Sequence, residues 1–331
     1  MKSNIKINIF IFLFSLIFSF VTVELVFRLF VTTNKTQTWS DRPRTYFYPD
    51  KISNSRDYIY SPTKAKNVFR VITVGDSFTF AGKVQFDEAY PKRLERILNL
   101  SSKNYKTEVI KVARPGLSTE QEERLLRKTL EKYETDLVVL QITLNDPAIK
   151  PYHSSHIKEI KKKEKILFYI NSKPISLSKS LQFILQRLYN SYTHYLTKKY
   201  YNDIFNDQKN WGSFIKALNK IKDLSRNKNF KVIAVTFPLL TDNLDGTYPY
   251  KHLHKKINSE LRLLGIDNLD LLKVYKNIPH YRLEAEPSID SHPNEIAHIL
   301  AADAIYYFLE RKHYIPKNLY VKNKYKRIRR A

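Results

Sequence analysis

Ser77 stands directly after Gly75-Asp76, at the end of the apolar run Val68–Val74. Far along the chain lies Asp290-Ser-His292-Pro-Asn294. A serine hydroxyl is a weak nucleophile at neutral pH and needs an imidazole to take its proton. The imidazole in turn needs a carboxylate to fix its tautomer and steady its positive charge. An exposed strand-end serine and a compact Asp-x-His pair, in the order Ser77, Asp290, His292, are therefore the equipment of acyl transfer. Two further positions could serve the same reaction. Gly116, in Ala113-Arg-Pro-Gly116, can offer a backbone N–H with no side chain in the way. Asn145, in Thr143-Leu-Asn-Asp146, can offer its amide N–H. Donors preorganised where an oxyanion develops are typically worth about 3 kcal/mol each to the transition state.

Those residues have to be held by something, and the pattern between them says what. Apolar strands alternate with helical periods. Val68–Val74 reads as the first strand and Glu88–Leu100 as the first helix. Glu108–Val112 reads as a second strand and Asp136–Thr143 as a buried third. Phe230–Phe237 reads as another. Between and after them, Ser118–Tyr133, Trp211–Leu224, His252–Leu264 and Asn294–Arg311 read as helices. Ser118 can cap its helix with Gln121 answering it, and Pro293 suits the first position of the last helix. Continuous apolar strands alternating with helices imply a parallel sheet covered on both faces. In such sheets ligands bind at the carboxyl ends of strands. Ser77, Gly116 and Asn145 all fall there.

The set of motifs resembles the SGNH (GDSL-type) serine hydrolases. Gly75-Asp-Ser-Phe-Thr-Phe80, followed by an acid and Tyr90-Pro91, is similar to the first block of that family. Pro115-Gly-Leu-Ser-Thr119 is similar to the second, Asn145-Asp146 to the third and Asp290-x-His-Pro-Asn294 to the last. The resemblance covers about residues 68–312. It implies a flavodoxin-like three-layer α/β/α sandwich with Ser77 as nucleophile, His292 as general base and Asp290 as its orienter. It also implies an oxyanion hole made by the Ser77 N–H, the Gly116 N–H and the Asn145 side chain. The chain departs from the family pattern where Leu144 precedes Asn145 and where Arg114 precedes Pro115-Gly116. A cation at 114 would favour anionic substrates, or would simply be solvated. No metal or organic cofactor is implied. The pair His252-x-His254 reads as a solvated helix face.

Composition bounds the rest. The chain has 331 residues, 43% of them hydrophobic, with 19 Phe and 23 Tyr to fill a core, and no cysteine. Disulfides, thiolate catalysis and cysteine-bound zinc are thereby excluded. The formal net charge is +25, concentrated in Lys158–Lys165 and in the tail from Arg311 to Arg330. It fits a solvated basic surface, anionic lipid headgroups or an acidic polysaccharide. No nucleic-acid-binding module accompanies it. Residues 7–31 are almost uncharged, strongly apolar and long enough to cross a bilayer of about 30 Å hydrocarbon. Glu24 and Arg28, four apart, can pair within them. No small-x-small cleavage site follows, so the segment reads as an uncleaved single-pass anchor. Lys2 and Lys6 ahead of the span favour an extracytoplasmic catalytic domain, periplasmic or at the cell surface.

The organisation expected is an anchor at 1–31, a linker at 32–66, a hydrolase-like domain at 67–312 and a basic tail at 313–331. Within the domain, residues 148–210 form an insertion far longer than an ordinary connection. Leu177, Leu181, Ile184, Leu188, Tyr192 and Tyr195 recur in it at helical spacing. That stripe fits core packing, a lid over the site, or a helix lying on lipid. The expected activity is hydrolysis of a carboxylic ester: an O-acetyl group on an envelope polysaccharide, or a lipid ester. An acyltransferase with the same residues and a catalytically silent membrane-tethered scaffold are the alternatives.

Overall fold

Five strands form one parallel sheet: β1 (Val68–Gly75), β2 (Lys106–Ala113), β3 (Leu137–Ile142), β4 (Lys231–Thr236) and β5 (Asp267–Asp270). Their order is β2-β1-β3-β4-β5, the doubly wound order of flavodoxin-like sheets. This is a computed structural model that describes residues 2–30, 57–100, 105–150, 157–286 and 290–320. Most of the expected linker, and residues 321–331 of the expected tail, lie outside the described residues.

The strands were legible because they are buried on both faces. Val71, Ile72 and Val74 of β1, and Leu137 to Leu140 of β3, are fully buried. Of these five, β5 escaped the sequence reading, as did the hairpin strands described below: Asp-Asn-Leu-Asp is polar and four residues long, and it qualifies as a strand only because β4 offers it an edge. Helices α2 (Ser77–Phe80), α3 (Tyr90–Asn99) and α4 (Thr119–Lys132) follow in the first half of the chain. Ser118 and Gln121 close the expected capping box at the start of α4.

After β3 come α5 (Ile157–Ile170), α6 (Lys173–Ser176), α7 (Lys179–Asn206) and α8 (Gln208–Asn227), then α9 (Lys251–Leu263) between β4 and β5. Right-handed crossovers send α3 to one face of the sheet and α4, α8 and α9 to the other. The last helix, α10 (Glu295–Arg311), joins α3 on its face. Before it, β6 (Glu284–Glu286) and β7 (Asp290–Pro293) pair antiparallel. Pro293 therefore ends a strand and does not begin the helix. Asn294 caps α10 instead, its side chain accepting from the N–H groups of Ile296 and Ala297. That contact satisfies two donors, which a proline at the first position does not.

The described residues divide into two compact units. Those within Gln37–Pro151 and Tyr201–Ala331 form the sheet unit; those within Met1–Thr36 and Tyr152–Tyr200 form the other. In the second unit, α1 (Lys2–Phe30) contains a 24-residue stretch, Ile7–Phe30, of mean hydropathy 2.5 with none of it buried, long and apolar enough to cross a membrane. The expected Glu24–Arg28 pair forms at 3.0 Å. Glu24 also accepts from the backbone N–H groups of Lys179 (2.8 Å) and Ser180 (3.0 Å) and from the hydroxyls of Ser178 and Ser180. Arg28 donates to the Leu177 carbonyl at 2.6 Å, and the Phe27 ring meets Phe183 edge-on at 5.2 Å. The acid of one helix thus caps the first turn of another.

Candidate active site

The turn after β1 is shaped from below. A Cβ at Gly75 would lie 2.3 Å from Gln141 Oε1 and 2.4 Å from Thr79 Oγ1, so only glycine fits. Gln141 sits fully buried in β3. Its Oε1 accepts from the Asp76 N–H (3.1 Å), the Thr79 N–H (3.2 Å) and the Thr79 hydroxyl (2.9 Å). Asp76 Oδ1 then caps the single turn of α2 through the Phe78 N–H at 2.9 Å. Ser77, half-buried, opens that turn.

The hairpin strand β7 carries the partners. His292 Nε2 lies 3.0 Å from Ser77 Oγ, and His292 Nδ1 lies 2.6 Å from Asp290 Oδ1. The same carboxylate oxygen accepts the His292 backbone N–H at 3.0 Å, which holds the pair in one local frame. Lys83 Nζ reaches Asp290 Oδ2 at 2.7 Å. Partial burial of Asp290 opposes its charge, but the hydrogen bonds from His292 and Lys83 prevail and hold its carboxyl well below the ordinary range. With Asp290 ionised, Nδ1 carries a proton and Nε2 faces Ser77 as an acceptor. The Phe78 ring, 5.6 Å from the imidazole, covers one side of it.

Of the expected oxyanion donors, Asn145 is held against the serine turn. Asn145 Nδ2 donates one hydrogen to Asp76 Oδ2 at 3.0 Å, which aims the amide beside the serine turn and leaves its second N–H for a ligand. Gly116 lies in the exposed turn after β2 with φ +74°, a left-handed conformation that favours glycine. In register, Ala113 at the end of β2 stands opposite Gly75. Arg114 is exposed in the same turn, while Leu144 is buried.

Beneath Asn145 lie three acids that the sequence reading passed over in their present role: Asp76, Asp146 and Glu122, each 1% exposed or less. The Thr143 hydroxyl is 3.0 Å from Asp76 Oδ2 and 3.2 Å from Asp146 Oδ2, and also contacts Asn145 Oδ1. The Thr143 N–H and Asn145 Nδ2 also donate, to Asp146 Oδ2 and Asp76 Oδ2. Asp146 nevertheless holds a proton more readily than a free carboxyl. Burial, then the charge of Asp76, pushes its carboxyl up to about 7, against hydrogen bonds from Thr143 and Thr119. Glu122 is pushed well above the ordinary range by burial and by Asp146 and Asp76. Its oxygens find no donor among the described residues. The signal for Gln141 was available in the sequence, as an amide inside an apolar strand. Lys83 and Glu122 gave none, because a lone Lys or Glu in a loop or helix is ordinarily solvated.

One expectation fails. His252 is exposed and bonds Asn202, but His254 is buried, with its Nδ1 2.9 Å from Asp270 Oδ1. Residues two apart on a helix lie on different faces, so the pair was never one solvated face.

No family model and no curated protein matches the chain. Solved structures do. An acetyl xylan esterase, AlAXEase, is 17% identical with a TM-score of 0.46, covering 73% of this chain and 100% of its own. A member of the lipolytic protein G-D-S-L family from Veillonella parvula DSM 2008 is 14% identical at TM-score 0.42, covering 73% and 99%. The psychrotrophic esterase EstA from Pseudoalteromonas sp. is 14% identical at TM-score 0.43, covering 74% and 98%. These three are esterases or lipolytic proteins. At such identities and scores, what this chain does has to be read from its own atoms.

Proposed function

We propose that this chain is a membrane-anchored serine esterase of the SGNH type. The observation that carries it is the unbroken hydrogen-bond line from Asp290 through His292 to Ser77. In this reading Ser77 Oγ attacks the ester carbonyl as His292 Nε2 takes its proton. The negative oxygen is met by the N–H groups of Ser77 and Gly116 and the free amide hydrogen of Asn145. Collapse of the intermediate expels the alcohol, which His292 protonates, and leaves acyl-Ser77. Water, deprotonated by His292, then attacks the acyl group, releases the acid and restores the serine. Asp290 fixes the imidazole tautomer, and Lys83 keeps that carboxylate ionised.

Retention of the anchor is supported by the contacts of Glu24, Phe27 and Arg28 with Leu177–Phe183: cleavage after the apolar segment would strip α7 of its cap. Lys2 and Lys6 favour a catalytic domain outside the cytoplasm. The net charge of +25 and the tether suit O-acetyl groups on an acidic envelope polysaccharide. The exposed apolar stripe on α7 favours a second reading, a lipid ester.

A fluorophosphonate probe should label the folded wild type and not Ser77→Ala. Ser77→Ala should also lose about four orders of magnitude in kcat/KM on p-nitrophenyl acetate while its Tm stays put. A wild type that resists the probe and turns over no ester sinks the reading. Preference for acetyl over long-chain esters supports the deacetylase, and the reverse supports the lipid ester.

A further inference from the structure

The six apolar positions Leu177, Leu181, Ile184, Leu188, Tyr192 and Tyr195 line one face of α7 and the turn before it. They are not packed away: each is between 37% and 73% exposed. At ~1.5 Å per residue the stripe is about 27 Å long, and a contiguous exposed apolar strip of that length marks a surface meant to be covered.

The position of the stripe relative to α1 says by what. Glu24 is the one acid inside the apolar segment Ile7–Phe30. A carboxylate there is expensive, and so are the uncapped N–H groups at the start of a helix. Each resolves the other, since Glu24 takes the Lys179 and Ser180 N–H groups. The contacts of Phe27 and Arg28 add to this, so the start of α7 is fixed at the level of residues 24–28, the last turns of the apolar segment. A helix that leaves a membrane span at its boundary, apolar on one face, has the lipid–water interface as its nearest cover. The stripe changes from Leu and Ile to Tyr along its length, and tyrosine suits the headgroup level.

Charge points to the same occupant. In the same unit α5 carries Lys158, Lys161, Lys162, Lys163 and Lys165 against two acids, Glu159 and Glu164, and Lys162 Nζ sits 5.9 Å from the Tyr192 ring centroid. Basic side chains beside an apolar stripe are matched to anionic headgroups, at roughly 1 kcal/mol per cation near such a surface.

We propose that the Leu177–Tyr195 face of α7 lies in the interface of the membrane that α1 crosses, with the lysines of α5 on anionic lipid headgroups. This rests on the membrane-anchored reading above.

The chain has no cysteine, so single cysteines make clean labelling sites. Bimane would be attached to Leu188→Cys on the stripe, to Gln186→Cys on the opposite face, and to Phe18→Cys within α1. Each full-length variant would be placed in nanodiscs of phosphatidylcholine and phosphatidylglycerol, with and without brominated acyl chains. Loss of fluorescence to brominated lipid is expected at Phe18 and Leu188 and not at Gln186. Glu24→Leu, which has no acceptor for the Lys179 and Ser180 N–H groups, should remove the loss at Leu188 and leave it at Phe18. Omitting phosphatidylglycerol should weaken it at Leu188 alone. Quenching at Phe18 without quenching at Leu188 overturns the interfacial placement and leaves the anchor intact. Equal quenching at Leu188 and Gln186 also overturns it, since the helix would then be immersed. No quenching at Phe18 overturns the anchored reading itself. A Leu188 signal indifferent to phosphatidylglycerol removes the headgroup contact.

Discussion

The two ends of the central sheet handle buried charge in opposite ways. At the amino end, Arg70 of β1 stands in register with Glu108 of β2. Its Nε and Nη2 reach Glu108 Oε2 at 3.0 and 2.8 Å, and the remaining donors take the carbonyls of Ser61 (2.9 Å) and Pro62 (3.1 Å). Both side chains are buried and the charges cancel. At the carboxyl end, Asp76, Asp146 and Glu122 are buried together, and the first two are met by hydroxyl, amide and backbone N–H groups. Neutral donors do not cancel a like-charge cluster, so protons must. One end is closed and holds the sheet together. The other keeps uncompensated polarity under the place where Ser77, His292 and Asn145 converge, as expected where a fold reserves its strain for function.

The contrast can be broken from either end. The largest effect is expected from Arg70→Met. Removing one partner of a buried ion pair costs about 3–5 kcal/mol, a fall in Tm on the order of 10 °C for a domain of this size. Ester turnover below the new Tm should be retained. Thermal unfolding and kcat/KM measured on one preparation test this; lost turnover at an unchanged Tm would invert the assignment of the two ends. Gly75→Ala should do the reverse. The new Cβ collides with Gln141 and Thr79, both held by hydrogen bonds, so the serine turn must shift. A displacement of about 1 Å can lower kcat/KM roughly a hundredfold. Steady-state kinetics on p-nitrophenyl acetate that match wild type would remove Gln141 from its role beneath the turn.

The smallest effect concerns pH. Asp146 and Glu122 have folded-state affinities for protons raised above those of free carboxyls. Stability from such groups is fully present below the ordinary carboxylate range and is lost as pH rises through their folded values, for Asp146 about 7. Tm should therefore decline between about pH 4 and pH 8. Glu122→Gln removes one titrating member while keeping its shape, so its decline should be shallower. Parallel Tm profiles for the two proteins would argue against proton uptake by Glu122 in the folded state. Asp290 works in the opposite sense: its depressed value gives stability that is present above the ordinary carboxylate range and lost on acidification.

Much of this was legible in the chain because the signals are local. Val68–Gly75 and Leu137–Ile142 announce buried strands by unbroken apolarity, and the capping pair Ser118 and Gln121 marks the start of α4. Gly75-Asp76-Ser77 and Asp290-x-His292 are short-range motifs whose backbone requirements travel with them. The β5 strand was not legible, since its polar residues are extended only by virtue of a neighbour. Nor was the burial of His254, which depends on Asp270 arriving from another element.

The sequence by itself determined the element order, the apolar N-terminal segment and the residue types for acyl transfer, because hydrophobic period and turn chemistry act over a few residues. Only the tertiary structure decided that His292 meets Ser77 at 3.0 Å, that Lys83 joins Asp290, and that three acids share one pocket of low dielectric. It alone decided that the α7 stripe faces outward while Glu24 caps its first turn. The physical reason is the same in each case. Distance, burial and proton affinity belong to pairs of residues far apart in the chain, and no single stretch of sequence contains both partners.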